Sequence, residues 1–97
     1  MYARVTFATA QSGKLDELIK VMRDSVLPAA KKQKGFKGSF FLTDRNIGKC
    51  ISIGLWNKEA DMTADESGGY YRERVAKVAP FLSGAPTMER YEVSVRR

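Results

Sequence analysis

Apolar and polar positions alternate with a period of two over Arg4–Thr9, with Val5 and Phe7 on one side and Arg4, Thr6 and Ala8 on the other, which predicts a strand. Ser12-Gly13 breaks the pattern, and Ser12 reads as a helix cap. From Lys14 the period lengthens: Leu15, Leu18, Ile19, Met22, Val26 and Ala30 recur at helical spacing. Pro28 falls inside that run and predicts a kink or break near Leu27, because proline has no N–H to give to the helix ladder. Gly35 ends the segment. Phe36–Thr43 and Lys49–Trp56 read as strands joined by the turn-rich Asp44-Arg45-Asn46-Ile47-Gly48, an antiparallel hairpin. A helix follows over Lys58–Glu66, Gly68-Gly69 interrupts it, and Tyr70–Leu82 resumes with Tyr71, Val75, Val78 and Leu82 in register. After Ser83-Gly84-Ala85-Pro86, Thr87–Val95 alternates again. The order β-α-β-β-α-β predicts an α+β ferredoxin-like fold: a four-stranded antiparallel sheet with helices on one face, and residues 1–97 as a single domain.

The two parities of the strands differ in chemistry. Val5, Phe7, Ile51, Ile53, Leu55, Tyr91, Val93 and Val95 form an almost wholly apolar face. Thr6, Ala8, Cys50, Ser52, Gly54 and Trp56 form the other, small residues ending in one large aromatic. Two helices cover one face only, so the second needs another surface, most simply the same sheet of a second copy. A homodimer is the expectation.

The absence of histidine removes His-based triads, HExxH zinc sites and the usual proximal haem ligand. A single cysteine, Cys50, removes thiolate clusters and internal disulfides and reads as a small buried residue. No GxSxG, GxxxxGK[ST] or GxGxxG motif is present. No metal or other cofactor is expected. No apolar run approaches membrane-spanning length and no secretion signal is evident, so the cytoplasm is the expected location. The net charge of +6 is concentrated in the first half, chiefly at Lys31, Lys32, Lys34 and Lys37, which read as a solvated helix end.

Gly35-Phe36 with Gly38, Asp44 before Gly48-Lys49, Trp56 with Glu59-Ala60, and Gly69-Tyr70-Tyr71-Arg72 together resemble the antibiotic biosynthesis monooxygenase family of dimeric α/β barrels. The resemblance spans nearly the whole chain. It implies that two sheets close into one barrel, with a ligand cleft between each sheet and its own helices. The Trp56 face would then line the cleft, with Ser52 and Gly54 leaving room beside Trp56 for a flat apolar ligand. Haem-degrading relatives carry a histidine on the second helix about ten residues after the tryptophan, and an asparagine on strand one. Glu66 and Thr6 stand at those places here, so haem degradation is disfavoured.

The activity implied is cofactor-independent oxygenation of a small phenol, quinol or anthrone-like aromatic. Substrate-binding candidates are Trp56 as stacking surface, Tyr70 or Tyr71 as hydrogen-bond donor, Arg74 or Arg4 opposite an oxyanion, and Thr6 and Ser52 on the cleft floor. Each has a plainer reading. Trp56 could be core, a helix-start tyrosine could point to water, and Arg72 and Arg74, interleaved with Glu73, could be a solvated face. Asp61 and Asp65 share a helical face but read as exposed carboxylates. A non-catalytic small-molecule-binding or stress-related dimer of the same fold is the alternative. RNA binding is disfavoured: Lys34–Phe41 echoes an RNP1 motif only faintly, and on the second strand instead of the third.

Overall fold

A computed structural model describes residues 1–97. Strand β1 (Tyr2–Thr9) leads into helix α1 (Leu15–Val21), a π turn (Met22–Val26) and helix α2 (Leu27–Lys31). The hairpin β2 (Phe36–Asp44) and β3 (Lys49–Trp56) follows, then α3 (Glu59–Ser67), α4 (Gly69–Val78), a 3-10 turn (Ala79–Phe81) and β4 (Thr87–Glu92). The strands lie in the order β2-β3-β1-β4, all antiparallel, which is the ferredoxin-like α+β arrangement expected from the element order.

Register carries the two-faced pattern across the sheet. Arg4, Thr6 and Ala8 sit opposite Gly54, Ser52 and Cys50, and Trp56 sits opposite Tyr2. The hairpin carries one extra residue between Phe36 and Gly38, a bulge made possible by Gly38 at φ 143°. Gly35, at φ 80°, turns the chain into β2 against α3, and its carbonyl accepts from the Asn57 N–H at 2.7 Å.

The first helical segment departs from expectation at its start. Ser12 does not cap it. The Gln11–Lys14 turn, closed by the Lys14 N–H onto the Gln11 carbonyl at 2.9 Å, hands the chain to a helix whose N-cap is Lys14. Near Leu27, where Pro28 predicts a kink or break, the regular α-helix is interrupted. The proline starves the carbonyl one turn upstream of a donor, and the backbone widens into the π turn over Met22–Val26, closed by the Leu27 N–H onto the Met22 carbonyl.

The core lies between the helices and one sheet face. Leu18, Met22 and Val26 pack on Ala10 and Cys50, with Phe41, Phe81 and Leu82 partly buried around them. The last expected strand ends early, at Glu92: its only neighbour is β1, whose first residue, Tyr2, is already paired with Glu92. On the far face Phe40, Leu42 and Tyr91 are 58, 46 and 51% exposed, a large apolar surface with no helix over it. No helix is long and apolar enough to cross a membrane.

Candidate functional site

Between the covered sheet face and the helices lies a cavity of about 290 Å3, close to the lower end of small-molecule sites. Its walls are mostly apolar: Met22, Val26 and Leu27 from the π turn and its edge, Val75 and Val78 from α4. Its floor is the small-residue parity of β1 and β3, where Thr6 and Ser52 are register partners and Gly54 lies opposite Arg4. The small floor residues are what leave this volume open. Cys50 is also on the floor, fully buried, and burial pushes its thiol pKa up, so it stays protonated and unreactive.

One end of the cavity is polar. Asp65 on α3 is buried, and its Oδ2 accepts from Arg4 Nη2 at 3.0 Å and from Arg74 Nη2 at 2.6 Å. Glu66, next along the helix, accepts from Arg4 Nη1 at 3.3 Å and from Arg90 Nε at 3.0 Å. Burial would raise the Glu66 carboxyl, but the hydrogen bonds and charges of Arg90 and Arg4 outweigh it and hold it below its ordinary value. The Arg4 guanidinium lies over Tyr71 at 4.7 Å and over Trp56 at 5.2 Å, and Arg74 approaches Tyr71 at 5.5 Å. Strand β1, helix α4 and strand β4 therefore converge on two carboxylates of α3. No three acidic or thiol side chains converge as a metal site would require.

The structure places Thr6, Ser52, Tyr71 and Arg74 on the cavity wall. Tyr71 donates its hydroxyl toward Met88 Sδ at 3.4 Å, and Tyr71 and Arg74 share the α4 face turned to the sheet. Two other candidates fall elsewhere. Tyr70 is 67% exposed, a step of about 100° around the helix from Tyr71, and takes no part in the cavity. Trp56 lies on the covered side of the sheet but is completely buried, packed edge-on against Phe36 at 5.3 Å and beneath Arg4, so its ring offers no face for stacking a ligand. Its indole nitrogen alone is directed toward the floor, 3.5 Å from where a Cβ on Gly54 would stand.

Two expectations about charged residues are corrected. Arg74 is 5% exposed instead of belonging to a solvated face, and Asp65, expected at the surface, is 6% exposed. The ion pairs of Asp65, Glu66 and Arg90 were not read from the sequence. The available signal was Arg4, a charge on the inward parity of a strand, which requires a buried acid somewhere in the fold.

This geometry defines a ferredoxin-like α+β protein with one apolar cavity closed at one end by a buried arginine–carboxylate cluster. Its fold is that of the antibiotic biosynthesis monooxygenases. A solved antibiotic biosynthesis monooxygenase superposes with a TM-score of 0.78 over 98% of this chain and all of that one, at 10% identity. SnoaB of Streptomyces nogalater, a cofactor-independent oxygenase, superposes with a TM-score of 0.82 over 98% of this chain and 94% of its own, at 12% identity. A protein of unknown function from Nitrosomonas europaea reaches 0.81 at 23% identity, over 99% and 91%. By sequence the chain is similar to the uncharacterized proteins Rv2557 and Rv2558 of Mycobacterium tuberculosis, 34 and 31% identical over 97 and 98% of its length. It spans about two fifths of the length of these curated relatives, 41 and 39%. No protein-family model matches the chain.

Proposed function

We propose that this protein is a cofactor-independent monooxygenase acting on a small phenol-, quinol- or anthrone-like aromatic. The observation that carries the reading is the open apolar cavity into which Tyr71 and Arg74 converge, in the fold shared with SnoaB. In such a reaction the deprotonated substrate is itself the electron donor to oxygen. The chain contributes a dry, shaped cavity and positive charge beside the developing anion. Arg74 faces the substrate oxyanion, Tyr71 supplies a hydroxyl at the cavity wall, and Thr6 and Ser52 hydrogen-bond the ring substituents from the floor. The protein works as a homodimer, its far sheet face, with Phe40, Leu42 and Tyr91, buried against the same face of a second copy; the exposed apolar area there supports this.

Oxygen uptake against a panel of hydroquinones and anthrones tests the activity, with wild type compared to Arg74→Lys. Uptake with at least one substrate, falling on the order of a hundredfold in the variant, is the expected result. A specific observation favours a second reading, a non-catalytic binding protein. Trp56 is packed away beneath Arg4 and presents no stacking face, so aromatic recognition rests on aliphatic walls alone. No uptake across the panel, combined with saturable ligand binding, selects that reading.

A further inference from the structure

The buried donors at the polar end of the cavity are not all used within the protein. Arg74 is 5% exposed and lines the cavity. Its Nη2 is held by Asp65, while its Nη1 finds no acceptor among the protein's own groups. Trp56, outside the cavity lining and completely buried, has an Nε1–H beside Gly54 that also finds none. A buried guanidinium N–H or indole N–H without a partner is costly enough that native structures rarely leave one.

Asp65 Oδ1 is likewise without a partner, but the net charge of the cluster is positive. Three guanidinium groups, Arg4, Arg74 and Arg90, meet two carboxylates, Asp65 and Glu66. Arg90 is half in water, so the excess is moderate and suits one negative charge better than two. Asp65 spends a single oxygen, Oδ2, on both inner arginines, and that fixes Arg74 with its second nitrogen free. Beyond the donors the cavity turns apolar within one side chain, toward Val75, Val78 and the π turn. A phosphate dianion would lack both charge and polar surroundings there. A monoanionic carboxylate on an apolar body supplies the acceptor that Arg74 Nη1 lacks and offsets the surplus guanidinium.

We propose that the polar end of the cavity is a carboxylate-binding site, and that the natural ligands are small aromatic or apolar acids bound as monoanions. The carboxylate accepts from Arg74 Nη1, and the hydrocarbon body lies along the floor over Thr6 and Ser52. Asp65 is a positioning residue, holding Arg74 in the orientation the ligand meets. This rests on the cavity being a ligand site, as in the preceding section, but not on turnover.

The test uses para-tert-butylbenzoate and its neutral isostere para-tert-butylbenzamide, with affinity measured by calorimetry and by the fluorescence of Trp56, the chain's one tryptophan. The acid is expected to bind roughly tenfold or more tightly than the amide, the range of a charge-assisted bond. Arg74→Lys keeps the charge but loses the planar fork, and is expected to weaken the acid by roughly tenfold and the amide by much less. The comparison of acid with amide needs no variant, so it stands even if the substitution unfolds the chain. Equal affinity for acid and amide, no binding of the benzoate, or a folded Arg74→Lys that binds it as wild type does would each overturn the proposal. Oxygen uptake measured on the same samples separates the two claims: preference for the acid without uptake on any substrate removes the oxygenase and leaves the carboxylate site.

Discussion

Replacing Asp65 with asparagine removes one buried negative charge while keeping nearly the same shape. The Asp65 side chain is 1% exposed, and its partners Arg74 and Arg4 are 5 and 10% exposed, so water cannot substitute for the lost carboxylate. Arg4 retains Glu66 at 3.3 Å and the ring of Tyr71 at 4.7 Å. Arg74 retains only the edge of that ring environment at 5.5 Å, so most of the loss falls on it. Removing one partner of a buried pair destabilises by about 3–5 kcal/mol, and the amide oxygen can still accept, which points to about 3 kcal/mol. That is a large part of the roughly 5–15 kcal/mol that holds a small domain together. Urea unfolding followed by Trp56 fluorescence reads it directly, and with a slope of about 1–3 kcal/mol per molar the midpoint drops by about 1 M or more. Glu73→Gln, on the exposed side of α4, the helix that carries Arg74, serves as control and should shift stability by less than about 0.5 kcal/mol. Removing Arg74 as well, in Asp65→Asn with Arg74→Met, should restore part of the loss, since the unpaired charge is then gone. A single variant within about 1 kcal/mol of wild type would refute the view that this carboxylate neutralises two buried arginines.

Three further outcomes follow from named contacts. Glu66 has its pKa held below the ordinary value of 4.5, so its contribution to stability is present above that value and lost as pH falls through its folded pKa. Glu66→Gln should therefore flatten the acid limb of a stability–pH profile, and an unchanged limb would contradict the assignment. Gly35→Ala places a Cβ 2.6 Å from Asp61 Cβ at φ 80°, a collision with an atom no rotamer can move. A loss of about 2–3 kcal/mol is expected in thermal unfolding, and a loss below about 0.5 kcal/mol would mean that the turn relaxes freely. Phe40→Glu puts a charge in the middle of the far apolar face, 58% exposed in the single chain. Sedimentation should show wild type as a dimer and this variant as a monomer, and a wild-type monomer at all concentrations would remove the dimer proposal.

The sheet was readable from the chain because strand parity is a local signal: Val5, Phe7, Ile51 and Ile53 declare one face and Thr6, Ser52 and Gly54 the other, and the register confirms both. Gly35 and the Gly68-Gly69 break were equally local, each marking where a helix must stop. The polar cluster was not readable in the same way. Arg4 and Asp65 are 61 positions apart, and nothing around Asp65 distinguishes it from an exposed helical acid such as Glu73. Only the closure of α3 and α4 over β1 brings them together. Trp56 was placed on the correct face, but its depth depended on Phe36 and Arg4 packing over it, which parity does not describe. Val93 and Val95 alternate as a strand should, and fail to become one because pairing needs an opposite edge as well as a pattern.

The wide turn ahead of Pro28 has a geometric consequence for the cavity. Leu18, Met22, Val26 and Ala30 are each four residues apart, and all four are buried. In a uniform α-helix four residues overshoot a full revolution by about 40°, so such a row would wind away from the sheet within three steps. The π segment rotates less per residue and cancels part of that drift. One side of the helix therefore stays trained on the sheet for longer than a uniform α-helix would hold it, and the missing N–H of Pro28 is what admits the wide turn.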